Sequence, residues 1–121
     1  PWFPQTVRLA KEHPTFDIGI HIALTSEWSD MKWRPLTGGR SFCDEDGYFA
    51  AFVWPNPKAA PARSLRELKV DLAEAEAELR AQIELARRHL PRVSYLWPHM
   101  AFTSHSPEML ALVRKLAKEY D

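Results

Sequence analysis

Two histidines stand where an α/β chain most easily does chemistry. His21 lies in the segment Phe16-Asp17-Ile18-Gly19-Ile20-His21-Ile22-Ala23-Leu24-Thr25, and His99 follows Arg92-Val93-Ser94-Tyr95-Leu96-Trp97 after one proline. In the first segment Phe16, Ile18, Ile20, Ile22 and Leu24 share one face at period two; Asp17, Gly19, His21, Ala23 and Thr25 share the other. The apolar face calls for cover by helices. The second face sets one imidazole among small residues, which suits close approach of a ligand or metal. His99 keeps the parity of Val93, Tyr95 and Trp97. In parallel α/β folds, sites gather at the carboxyl ends of the strands, so imidazoles from two neighbouring strands can converge there. A divalent metal held by two histidines needs at least one more ligand, usually a carboxylate, and an open position for water. Spacing alone leaves the plainer alternative open, since a lone strand histidine is often only half buried.

Other reactive side chains offer less. His13 and His89 fall at helix ends, where a solvated or dipole-facing imidazole is ordinary. His105 precedes a helix and reads as a loop residue. Cys43 has no histidine near it in sequence and gives no sign of a nucleophile. Gly38-Gly39 lacks the strand–turn–helix setting of a phosphate loop.

The elements that position the histidines follow from pattern. Residues 4–12 read as a short helix with Pro4 in its first turn, burying Phe3, Val7 and Ala10, and His13-Pro14 stops it. The His21 strand comes next. An excursion over about 26–63 has no helical period and carries Trp28, Trp33, Trp54, Pro55, Pro57 and Pro61. Residues 41–43 and 48–53 in it are expected as short strands around the turn Asp44-Glu45-Asp46-Gly47. An excursion this long usually builds a binding surface or lid. Its tryptophans serve either as sugar-stacking platforms or as loop anchors.

Residues 64–90 are expected to form one helix. Ser64 and Glu67 make a capping box, and Leu65, Leu68, Leu72, Ala75, Leu79, Ile83, Ala86 and Leu90 make one stripe. Glu76–Arg80 and Glu84–Arg88 are placed as solvated pairs. The same stripe also allows a helix-mediated assembly module. A second strand spans 92–97, and Ser106-Pro107 opens a last helix burying Met109, Leu112, Val113, Leu116 and Tyr120. The order helix–strand–excursion–helix–strand–helix is α/β with parallel strands.

Composition narrows the class. The 121 residues are one domain's worth of chain or less, and 45% hydrophobic content supports a core. Sixteen basic and sixteen acidic side chains cancel, which argues against a nucleic-acid partner. No apolar run reaches the ~20 residues of a membrane span. One cysteine and no export leader make a reducing cytoplasm the expected location. The opening Pro1-Trp2-Phe3-Pro4 reads as the middle of a structural unit, so 1–121 is expected to be one partial domain of a longer protein. Unpaired strand edges would then favour a homo-oligomer.

The segment Gly19-Ile20-His21-Ile22-Ala23-Leu24-Thr25-Ser26-Glu27-Trp28 resembles the Gly-x-His-x-x-Leu-Thr segment of the YdjC/ChbG-like carbohydrate deacetylases. Trp33-Arg34-Pro35-Leu36, Asp44-Glu45-Asp46-Gly47-Tyr48-Phe49 and Glu78-Leu79-Arg80-Ala81-Gln82-Ile83-Glu84 continue the likeness in order. The resemblance implies a distorted (β/α) barrel. It implies metal-dependent removal of acetyl groups from N-acetylated sugars or oligosaccharides, with magnesium or zinc held by an aspartate and two histidines. Those histidines correspond to His21 and His99. Water activated by the metal attacks the amide carbonyl, and a second aspartate serves as general base.

Two departures stand out. The family's Asp-Asp segment is not among these residues, and Asp17 belongs to a different strand. The usual His-x-[Asp/Ser]-x-His is here Tyr95-Leu96-Trp97-Pro98-His99. The alternative is therefore a non-catalytic barrel relative that binds a sugar or protein partner. Trp28, Trp33, Tyr95 and Trp97 are the candidate substrate-binding residues in either case.

Overall fold

Each long helix begins where the sequence supplies a side-chain acceptor for its free amides. In the computed structural model, which describes residues 2–28, 30–59 and 63–121, α2 spans Leu72–His89 and α3 spans Pro107–Glu119. Asp71 accepts from the N–H groups of Ala73 and Glu74 at 2.7 and 3.2 Å, and Ser106 Oγ accepts from Met109 N–H at 3.1 Å. The first helix, α1 (Phe3–Glu12), has Pro4 in its first turn, half-buries Phe3 and Val7, and buries Ala10.

The strands are β1 (Gly19–Ile22) and β2 (Tyr95–Pro98), and they pair in parallel. The register sets Gly19 beside Tyr95, Ile20 beside Leu96, His21 beside Trp97 and Ile22 beside Pro98. The chain is thus α/β with a two-stranded parallel sheet. One face of that sheet, through Ile20 and Ile22, joins Leu24, Leu79, Ile83, Met109 and Leu116 in a single core. The other face, bearing His21, Tyr95 and Trp97, is open.

Three expectations need correction. The apolar face at period two holds for Ile20, Ile22 and Leu24, but Phe16 is 60% exposed. It lies outside the paired strand and stacks on His13, with ring centroids 4.9 Å apart. Thr25, placed by parity on the open side, is fully buried because regular pairing ends at Ile22.

The helix expected over 64–90 is two elements. Ser64 N–H donates to Glu67 Oε2 at 2.7 Å, the glutamate half of a capping box, and the Ser64 hydroxyl donates to the same oxygen at 2.7 Å, but these contacts open only the 3-10 turn Leu65–Glu67. Leu65 and Arg66 donate their N–H groups to the carbonyls of Phe52 and Val53, which ties this turn to the excursion. Leu68 is then extended (ψ 146°), and Asp71 caps a fresh start. Leu72 consequently faces outward, while Ala75, Leu79, Ile83 and Ala86 are buried inside the chain. That burial leaves no free seam on α2 for an assembly module.

The hairpin expected around 44–47 shrinks to one antiparallel bridge, Cys43 to Phe49. The turn itself forms, with Gly47 at φ +80°. Asp44 Oδ1 accepts from the N–H groups of Asp46 and Tyr48, and Phe49 N–H donates to Trp33 C=O. Backbone donors that a longer ladder would use are spent on the loop. The segment stays ordered by burial instead, through Phe42, Phe49, Ala50, Ala51 and Val53. Pro1 and Pro61 lie outside the described residues.

Candidate functional site

The parallel register brings the two histidines together. His99 follows directly on β2, and its ring meets that of His21 edge-on, with centroids 4.9 Å apart and planes at 69°. His21 is exposed, whereas the His99 side chain keeps only 12% of its surface. His99 Nε2 is buried and has no hydrogen-bond partner among the described residues. Burial lowers the His99 pKa below the usual histidine value, and neighbouring His21 lowers it further; the Glu27 carboxylate opposes both. The neutral imidazole so favoured is the form that binds metals.

The surrounding cleft of about 500 Å³ is lined by His21, Glu27, Trp97, Pro98, His99, Met100, Ala101 and Thr103. Among the described residues, the non-glycine positions with left-handed backbone are Glu27 (φ 71°), Met100 (φ 50°) and Ala101 (φ 53°). All three line this cleft. Such conformations cost about 1–3 kcal/mol each and persist where surrounding structure enforces them, often at binding sites.

The candidate aromatic residues separate. Trp97 lines the cleft at 65% exposure. Trp33 is half-buried against the core, its ring 6.3 Å from that of His99, so it backs the imidazole. Tyr95 lies over Gly19 on the open sheet face, and Trp28 is exposed beside Glu27; neither lines the cleft.

Sequence pattern missed four polar residues. Glu27 lies six positions after His21, and its residue type alone gives no sign that it borders a cleft. Glu78, which the sequence offers only as the first residue of the segment Glu78–Glu84, is fully buried. It accepts from Leu36 N–H, Thr37 N–H, the Thr37 hydroxyl and the Gln82 amide. Gln82 in turn holds the Ala23 backbone. Spacing does mark them, because 75, 78 and 82 follow the three–four step beside the apolar stripe. Glu74 adds contacts with Arg40 N–H and Ser41 N–H.

The remaining candidates have structural roles. Cys43 is buried, its thiol contacts Gly39 C=O at 3.2 Å, and burial foremost pushes its pKa up to about 11. That thiol is the opposite of an activated nucleophile. His89 packs edge-on against Phe3. Glu76–Arg80 is an ion pair, as expected, while Glu84 accepts from the Tyr120 hydroxyl.

Among the described residues, no three His, Cys, Asp or Glu side chains already form a cluster able to hold a metal ion. The donor chemistry nevertheless fits a divalent cation in part: two imidazoles face one cleft, and a buried nitrogen of one lacks a partner. No helix among the described residues is long and apolar enough to cross a membrane.

A family model described as YdjC-like protein matches residues 1–121. The chain is 36% identical over 104 residues to a carbohydrate deacetylase of Thermus thermophilus, covering 86% of this chain and 35% of that protein. It is 29% identical over 116 residues to a carbohydrate deacetylase of Vibrio cholerae, covering 94% and 39%. It is 32% identical over 118 residues to one of Brevibacillus brevis, covering 98% and 41%. The chain therefore spans well under half the length of these relatives.

Proposed function

Because this chain belongs to the YdjC-like family, we propose that it carries the two-histidine part of a carbohydrate deacetylase site that acts on N-acetylated sugars or oligosaccharides. In this reading β1 and β2 are neighbouring strands of a distorted (β/α) barrel, and the cleft lies at their carboxyl ends, where such folds place their chemistry. The observation that carries it is the His21–His99 pair, with the buried His99 Nε2 left without a partner. His21 and His99 are the residues that would hold magnesium or zinc. When bound, that ion supplies a Lewis acid for the amide carbonyl and for water.

The chain's own side chains set the rest. Trp33 backs the His99 ring, and burial lowers that ring's pKa. Trp97 offers an exposed indole face beside His21, suited to the apolar face of a sugar ring. Pro98 and the left-handed pair Met100–Ala101 shape the cleft where it passes His99.

Acetate release from N-acetylglucosamine oligosaccharides tests this reading. Added zinc or magnesium should support release by the protein, and His21→Ala or His99→Ala should each lower it by at least about a hundredfold. Unchanged release in both variants would overturn the site. A second reading, sugar binding without turnover, draws on Tyr95 and Trp97, which stand where the family pattern has His and Asp or Ser. Oligosaccharide binding with no acetate released at any metal concentration would favour it.

A further inference from the structure

We propose that Glu27 is a carboxylate ligand of the cation site at His21 and His99, an inference that rests on the metal reading above. Glu27 Oε2 lies 4.0 Å from His99 Nε2, the same nitrogen that is buried without a hydrogen-bond partner. A zinc or magnesium ion binds nitrogen and oxygen at about 2.0–2.2 Å, so adjacent donors on one ion stand about 3.0–3.5 Å apart and opposite donors about 4.2 Å. The observed separation exceeds the adjacent spacing of about 3.0–3.5 Å by about 0.5–1 Å, which rotation of the 47%-exposed Glu27 side chain closes.

The backbone directs Glu27 to this place. Ser26 is fully buried; its N–H donates to Ala50 C=O at 2.9 Å, and its hydroxyl donates to Phe49 C=O at 3.2 Å. With Ser26 anchored in the core, the left-handed conformation at Glu27 (φ 71°) turns the chain so that the carboxylate borders the cleft. A glycine would adopt that conformation freely, and a glutamate does not. The other acid near β1 is engaged elsewhere. Asp17 accepts from the Ser94 hydroxyl and pairs with Arg92, before the amino end of the strand. Glu27 is thus the carboxylate that the fold delivers to the carboxyl end, where His21 and His99 meet.

The test is zinc titration calorimetry on the protein, together with the visible absorption of its cobalt(II) form, for wild type, Glu27→Gln, Glu27→Gly and His99→Ala. Glu27→Gln is expected to weaken zinc binding between about tenfold and a hundredfold and to shift the cobalt bands. Glu27→Gly removes the carboxylate while relaxing the backbone, and should match Glu27→Gln. If His99→Ala abolishes binding but either Glu27 variant keeps wild-type affinity and spectrum, the role of Glu27 is overturned and the histidine site stands. If His99→Ala also binds as wild type, the metal reading falls with it.

Discussion

The side-chain amide of Gln82 closes on the backbone of Ala23 from both directions. Its oxygen accepts from Ala23 N–H at 2.9 Å, and its nitrogen donates to Ala23 C=O at 2.8 Å. A neighbouring strand would make the same two kinds of contact at that residue. The remaining amide hydrogen goes to Glu78, which holds the backbone of Leu36 and Thr37. One turn of α2 therefore ties the chain just past β1, two residues beyond His21, to the loop that carries Leu36 and Thr37.

Replacing Gln82 with leucine should reveal that connection. The substitution keeps helix propensity and bulk but leaves the Ala23 amide and carbonyl unpaired and removes one donor from buried Glu78. Unsatisfied buried polar groups cost about 1–3 kcal/mol each, so a loss of about 2–4 kcal/mol is expected in urea unfolding. Exposed Arg88 on the same helix serves as the control, with Arg88→Ala expected to stay within about 0.5 kcal/mol. A Gln82→Leu variant as stable as that control would show that the contacts carry no weight.

The acid limb of stability should report on Asp44. Burial pushes its pKa up, yet the hydrogen bond from Lys32 at 2.6 Å, the N–H groups of Tyr48 and Asp46, and the Lys32 charge outweigh it. The carboxyl is held below its ordinary value of 3.8. A depressed folded pKa means the unfolded chain binds the proton more readily. The contribution is thus complete above pH 3.8 and fades as pH falls through the lower folded value. Unfolding free energy measured between pH 5 and about pH 2 should slope downward, and less so in Asp44→Asn. Parallel slopes in the two proteins would refute this.

What could be read from residue order was whatever depends on period and caps. The His21 strand and the α3 cap at Ser106 rest on such local rules, the parallel pairing that brings His21 beside His99 follows from the order of elements, and all three appear. The sequence pattern misled where tertiary contacts compete with local ones. Ser64 and Glu67 form their capping box, but backbone donors of Leu65 and Arg66 are captured by Phe52 and Val53, and the helix must restart at Asp71. Glu78 looks solvated in a run of charged residues, because its loop partners lie more than forty positions away. Glu27 was invisible for a different reason. Its place in the cleft depends on a left-handed backbone that nothing in a glutamate's chemistry announces.

Gly19 and Tyr95 provide the sharpest test of the open sheet face. They are register partners, and a Cβ built on Gly19 would lie 2.0 Å from Tyr95 Cε2 and 2.3 Å from Cζ. Gly19 has no positive φ, so alanine meets no backbone conflict there, and the clash is only with a ring that is 52% exposed. Gly19→Ala should therefore turn Tyr95 away from the face that also carries His21 and Trp97, at a net cost of about 1 kcal/mol. In a Tyr95→Ala background the clash is gone. There Gly19→Ala should instead stabilise by about 0.4–1 kcal/mol, since alanine restricts the unfolded chain. The expected coupling of about 1.4–2 kcal/mol is within the range for residues in contact. A double-mutant cycle in urea measures it, and additive effects would mean that Tyr95 does not occupy the space over Gly19 in solution.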